Sequence, residues 1–298
     1  MGENELAKKN AWLQMNKEEV EDAYKFNQGY LSFLTKVKTE REAVEFITAV
    51  AEQKGFINLD KIEKLKPGQK ILISFKNKVC ALLVMGRTPL TEGINLIASH
   101  IDSPRLDLKA RPLYETDGLA LFKTHYYGGI KKYQWVAMPL ALHGVVVKED
   151  GQVINVSMGE KDDDFVFTIA DLLPHLAKDQ MEKKMSEAVK GEDLNILIGS
   201  RPLQVEENSS VKSYIAQILK EKYNIEDDDF TSAELELVPA YAAREVGFDR
   251  SMIGAYGQDD RVSAYTSLQA ILEVENPERT AVCLRSEERR VGKECRSR

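Results

Sequence analysis

The sequence predicts an α/β fold, a mixed sheet flanked by helices and interrupted by a β-rich insert. Three observations carry this. Helical periodicity opens the chain; two apolar runs joined by a short polar turn then lead into a third strand ending at His100; and the alternation of helix and strand returns only after a long block of short β-like pieces.

From about Asn16 to Lys36, Val20, Ala23, Tyr24, Phe26, Tyr30, Phe33 and Leu34 recur mostly at spacings of three and four, which reads as a helix. Thr39 with Glu42 forms a capping box for a second helix carrying Ala43, Val44, Phe46, Ile47, Val50 and Ala51, which Gly55 ends. Lys70 to Phe75 and Val79 to Met85 read as a hairpin turning at Lys76-Asn77-Lys78. Ile94, Leu96, Ile97 and Ala98 then form a run expected to be a strand buried on both faces, stopping at Ser99-His100-Ile101-Asp102-Ser103-Pro104.

After Pro104 the pieces are short: Leu106 to Lys109, Leu140 to Lys148, Val153 to Val156 and Phe165 to Ile169, with a helix from Val211 to Tyr223. The α/β pattern is expected to resume at Glu234-Leu235-Glu236-Leu237-Val238-Pro239, because a helix with Val262, Tyr265, Leu268, Ile271 and Leu272 on one face and a strand opening at Thr280 follow it. The expected domains are therefore 1–103 and 234–284 for a split first domain, 104–233 for the insert and 285–298 for a charged tail.

The 298 residues suffice for two domains, and 43% hydrophobic with 30% charged residues is an ordinary globular balance. A net charge of −7, with no basic stripe before the last dozen residues, argues against a nucleic-acid partner. Cys80, Cys283 and Cys295 are odd in number and far apart, which supports neither a disulfide framework nor a thiolate zinc site and suits a reducing cytoplasm. No run approaches a membrane span, so no membrane partner is expected.

Two stretches carry chemistry. Open α/β sheets bind ligands beyond the carboxyl ends of their strands, so His100 can ligate a metal there while Asp102 fixes its tautomer and ring orientation. His-x-Asp arises readily by chance, and a strand-end histidine bonded to a loop carbonyl is the plain alternative. In Gly257-Gln258-Asp259-Asp260 two carboxylates open a helix and can hold a cation, or else cap the helix and complement its dipole. One imidazole with one carboxylate able to bridge two ions about 3.5 to 4 Å apart are the recurring parts of two-metal aminopeptidases.

Four blocks, Ala98-Ser99-His100-Ile101-Asp102-Ser103-Pro104, Lys123-Thr124-His125-Tyr126-Tyr127-Gly128-Gly129, Leu173-Pro174-His175-Leu176-Ala177 and Gly257-Gln258-Asp259-Asp260, occur in that order. In these the sequence resembles the aspartyl aminopeptidase family of dizinc metallo-aminopeptidases, from near the N-terminus to about Leu284. The resemblance implies a metallopeptidase-type mixed sheet with a β-rich oligomerisation insert. It implies zinc, two ions per subunit, with His100 binding one ion, Asp259 bridging both and Asp102 orienting His100. It also implies that His175 reaches a neighbouring subunit's active site, in homo-oligomers built as dimers or dodecamers. The activity implied is removal of N-terminal residues, acidic ones by the family's name, from a peptide substrate.

The family also uses a later glutamate pair, aspartate and histidine. From Arg285 onward this chain is charged and aperiodic and is expected to be unrelated sequence joined to a truncated product, with poor solubility from an uncovered sheet. Glu287-Glu288 stands near the place of the pair, about two residues too early. The alternative function is therefore an inactive chain that serves only as a binding or assembly module.

Overall fold

The computed structural model describes residues 10–203 and 210–287. They form two compact units, one made of the described residues up to Ile101 and from Ala242 onward, the other of Asp102–Tyr241.

The first unit begins with α1 (Lys17–Lys36) and α2 (Glu40–Gln53), each started by a complete capping box. Asn16 Oδ1 accepts from the Glu19 N–H at 3.0 Å while the Glu19 carboxylate accepts from the Asn16 N–H at 2.7 Å. Thr39 and Glu42 make the same exchange at 3.3 and 3.0 Å. These bonds satisfy donors a helix start leaves open, so both helices begin where their sequence signals place them. β1 (Ile57–Asn58), β2 (Lys70–Phe75), β3 (Val79–Val84) and β4 (Ile94–His100) follow. β2 and β3 pair antiparallel through a tight turn in which Lys76 and Asn77 both take positive φ, 51° and 54°.

The second unit holds β5 (Arg105–Thr116), β6 (Leu119–Tyr127), β7 (Leu140–Val147), β8 (Val153–Met158), β9 (Ile196–Gly199), α3 (Val211–Tyr223) and β10 (Ala233–Pro239). Its six-stranded sheet runs β8-β7-β10-β5-β6-β9. Glu234–Pro239, expected to resume the first domain, is instead a strand inside this sheet, antiparallel to both β7 and β5. Its alternating apolar pattern marks a strand but does not name the neighbours, and here they lie on either side of it.

The chain returns through β11 (Arg244–Val246), β12 (Met252–Gly254), α4 (Gln258–Glu273) and β13 (Thr280–Ser286). β13 enters the five-stranded sheet β1-β2-β3-β13-β4, antiparallel to β3 and parallel to β4. The core packs Phe33, Ile47, Leu72, Leu82, Leu268 and Cys283 between α1, α2, α4 and the sheet. Val262 is 46% exposed; the buried face of α4 is Arg261, Ala264, Tyr265, Leu268, Ile271 and Leu272.

Two further expectations are corrected. β4 is not buried on both faces: among the described residues it is the last strand in its sheet, and Ile94, Leu96 and Ile97 are 45%, 53% and 54% exposed. The tail does not begin at Arg285, because β13 runs on to Ser286. The Arg285 guanidinium is buried, donating to the Ala264 carbonyl at 2.9 Å and to Ser267 Oγ at 2.8 Å.

Candidate metal centre

β13 and β4 are parallel neighbours in register from Thr280 opposite Ile94 to Ser286 opposite His100, so both strands end on the same edge of the sheet. The Ile101 N–H donates to the Ser286 carbonyl at 3.0 Å and extends that register one step past the histidine. This is the edge at which open α/β sheets present their ligands.

α4 delivers the second group. Gly257 takes φ 79°, and Asp259 and Asp260 have non-helical backbone angles, so the carboxylates sit in a kinked entry before the regular helix. The Asp259–Asp260 peptide bond is cis. The entry is held on both sides. Before it, Tyr30 Oη donates to Gln258 Oε1 at 2.6 Å and Gln258 Nε2 donates to the Ile253 carbonyl at 2.8 Å. After it, the fully buried Arg261 donates to the carbonyls of Val37, Lys38 and Ile101 at 2.8, 2.6 and 3.3 Å. Arg261 thus fastens the residue after His100 to the helix that carries Asp259.

The result is that His100 Nε2 and Asp259 Oδ1 lie 3.4 Å apart. Zinc–nitrogen and zinc–oxygen bonds of about 2.0 to 2.2 Å at a tetrahedral angle span about 3.3 to 3.6 Å between the two donor atoms. The pair therefore fits one edge of a zinc coordination sphere. Most of the His100 side chain is shielded, at 22% exposure, while the Asp259 carboxylate is open at 96%, which leaves room for further ligands on its side. Among the described residues no group of three or more His, Cys, Asp or Glu side chains is placed to hold a metal, so these two are a partial donor set.

Asp102 lies in the second unit, buried at 3% exposure, and Tyr127 Oη donates to its Oδ2 at 2.6 Å. The Tyr127 ring in turn faces the Arg105 guanidinium at 4.1 Å, and Arg105 Nε bonds Asp107 at 2.9 Å and meets Glu236 at 3.2 Å. One carboxylate oxygen of Asp102 is thus held by a phenol whose ring packs against Arg105. His175 occupies an exposed turn of the second unit, beside Leu172, Leu173 and Leu176, which are 54%, 67% and 73% exposed. Glu287 follows the end of β13; Glu288 lies outside the described residues. Of the four proposed site residues, His100 and Asp259 are brought together within one unit, and Asp102 and His175 belong to the other.

Sequence reasoning assigned no role to Tyr127, Gln258 or Arg261. For Arg261 a signal existed: it falls on the apolar stripe of α4, three and four residues before Ala264 and Tyr265, where a charge needs a buried partner.

A family model described as Aminopeptidase I zinc metalloprotease (M18) matches residues 33–295. The chain belongs to the M18 family. The matched range runs past Leu284, so the family model draws no boundary there. A probable M18 family aminopeptidase 1 from Clostridium acetobutylicum is 49% identical over 296 residues, covering 97% of this chain and 64% of the relative. The crystal structure of an M18 aminopeptidase from Thermotoga maritima is 45% identical and superposes with a TM-score of 0.88, covering 95% of this chain and 62% of that one. Aminopeptidase I from Borrelia burgdorferi B31 is 41% identical with a TM-score of 0.85, covering 94% and 65%. The chain therefore spans just under two thirds of the length of these M18 relatives. No helix among the described residues is long and apolar enough to cross a membrane.

Proposed function

We propose that this chain works as an M18 zinc aminopeptidase, a hydrolase that removes N-terminal residues from peptides. The observation that carries the reading is the 3.4 Å separation of His100 Nε2 and Asp259 Oδ1 at the carboxyl edge of β4 and β13. His100 supplies a neutral nitrogen donor from a strand end, and Asp259 supplies an exposed carboxylate able to share its oxygens between two ions. Bound zinc would supply the activation of water at neutral pH and polarise the scissile carbonyl. Gln258 and Arg261 hold the Asp259 loop against the strand end, so the donors meet without reorganising when the ion arrives. Asp102 and His175 keep the roles the resemblance assigns them, orienting the ligand histidine and stabilising the transition state in a neighbouring subunit.

Zinc is the metal in the matched family's description, and two ions per subunit with a preference for acidic N-terminal residues complete the proposal. The exposed leucines beside His175 suit a homo-oligomer, and the free, buried Cys80 and Cys283 suit a reducing, cytoplasmic setting.

The test is zinc content and zinc affinity of the wild-type chain beside His100→Ala and Asp259→Ala, together with hydrolysis of aspartyl and leucyl chromogenic amides. The expected outcome is zinc retained by the wild type and weakened at least about 100-fold by either substitution, with Asp102→Asn costing about 10- to 100-fold as an outer-sphere partner does. Variants that bind zinc as the wild type does would overturn the assignment. Zinc binding without hydrolysis would leave the alternative, a binding or assembly module.

A further inference from the structure

Lys131 and Lys132 follow each other in the sequence, yet both line one cavity of about 450 Å³ in the second unit. Neighbours on an extended chain point opposite ways, and what brings both side chains to one cavity is the turn that starts there. The Gln134 N–H donates to the Lys131 carbonyl at 2.9 Å and the Trp135 N–H to the Lys132 carbonyl at 3.0 Å, and Trp135 is itself buried, which anchors the end of the turn. Two like charges held close together repel, and a nearby carboxylate is the usual relief. Among the described residues neither ammonium has an ion-pair or hydrogen-bond partner and no carboxylate lines the cavity, in a chain whose 48 acidic residues outnumber its 41 basic ones.

The other walls suit a peptide. Tyr126, Tyr133 and Ser186 bring hydroxyls, while Ile130 and Met185 bring apolar surface. The Tyr126 ring is placed by its neighbours: it stacks on His125 with centroids 5.7 Å apart, and a Cβ on Gly191 would come within 2.9 Å of it. Glycine at 191 is what lets the ring lie there. Small-ligand sites span about 300 to 1,000 Å³ and combine apolar walls with a few placed polar groups, and this cavity has that size and make-up. Its lining holds no arginine, the planar fork that suits phosphate, so two ammonium point charges among phenols match a carboxylate better.

We propose that this cavity is a peptide-carboxylate site, sharing no residue with the candidate metal centre, in which a carboxylate sits between Lys131 and Lys132 and the peptide beside it packs on Tyr126, Tyr133 and Met185. The carboxylate comes from a peptide C-terminus or from an acidic side chain, one chemistry with two sources. The choice of a peptide as ligand rests on membership of a peptidase family and not on the zinc reading.

The test is calorimetric titration of the wild-type chain, with chelator present, by three short N-acetylated peptides whose blocked amines offer an aminopeptidase nothing to cleave. One has a free C-terminal carboxylate and no acidic side chain, one is amidated and carries a single glutamate, and one is amidated with glutamine in its place. At least one carboxylate peptide is expected to bind at least about tenfold more tightly than the glutamine peptide, and whichever does so identifies the source. The double variant Lys131→Ala/Lys132→Ala should lose at least about tenfold in affinity for that peptide with its melting temperature unchanged, because neither ammonium holds a partner in the fold. Gly191→Ala should weaken binding by a smaller factor, since the added methyl pushes the Tyr126 ring aside. His100→Ala should bind as the wild type does. The proposal is overturned if the glutamine peptide binds as tightly as the others, if no peptide gives saturable heat, if the lysine variant binds as the wild type does, if inorganic phosphate displaces the peptide at equal concentration, or if His100→Ala abolishes binding, which would put the peptide at the metal centre. A wild-type chain that holds no zinc when the chelator is removed fails the zinc reading and leaves these titrations as they stand.

Discussion

Arg261 shows how much of the candidate site is held by a buried side chain that bonds only backbone carbonyls in the hydrogen bonds described above. Its planar fork reaches three carbonyls at once, on the loop after α1 and on the residue after His100, a geometry a lysine ammonium cannot reproduce. Arg261→Leu is expected to destabilise the chain by about 3 kcal/mol, since it strips a shared donor from buried acceptors, and a urea midpoint measures this. Arg261→Lys should fold with a smaller loss and still bind zinc more weakly, because Asp259 is no longer held to the strand end; unchanged zinc affinity in a folded Arg261→Lys protein would reduce Arg261 to a packing role. Of the proposed site residues, His100 and Asp259 stand out in the sequence as chemistry-bearing types at strand and helix boundaries, and the fold brings the two within 3.4 Å. Their partners do not, because a hydrogen bond such as Tyr127 to Asp102 joins positions whose pairing only the folded sheet sets. Burial also pushes the Cys80 thiol up to about 12, so Cys80 should resist alkylation in native protein at pH 8 and react after unfolding, as a thiol count with and without denaturant would show.

At the scale of elements, whatever is encoded locally was readable and whatever depends on a neighbour was not. The capping box at Thr39, the helix beginning at about Asn16 and the α3 span from Val211 to Tyr223 follow from nearby residues, while the other capping box, at Asn16, emerged only with the structure. Thr39→Ala, which removes one half of the second box, is expected to cost about 1 kcal/mol in urea denaturation, while a cost near zero would mean that Glu42 holds the helix start through its bonds to the Lys38 and Thr39 N–H groups. For β4 the apolar pattern states which faces seek cover, not whether cover is present, so its burial was misjudged while its span and its terminal histidine were not. Glu234 to Pro239 fails for a related reason: alternation fixes the faces of a strand and leaves its sheet open, and β10 pairs within the second unit.

At the scale of the whole molecule, the core of the first unit gathers acidic protons that burial makes hard to remove. Burial pushes the Tyr30 hydroxyl up to about 12 from an ordinary 10.0, against an opposing pull from Arg261. Cys80 is raised from 9.0 to about 12 by burial, and Tyr265 is raised by burial in the same cluster. Each group holds its proton more tightly folded than unfolded, so the folded state binds more protons at alkaline pH and stability falls as pH rises. The contribution is fully present below the unfolded values and is lost as pH climbs from about 9 toward 12. The urea midpoint should therefore stay level with respect to these groups from pH 7 to pH 8.5 and drop steadily above pH 9. Tyr30→Phe sharpens the measurement: it loses the bond to Gln258 at every pH, yet its decline above pH 10 should be shallower than that of the wild type. Parallel declines in the two proteins would show that Tyr30 is open to solvent, and with it the first-unit core that sets the Asp259 loop beside His100.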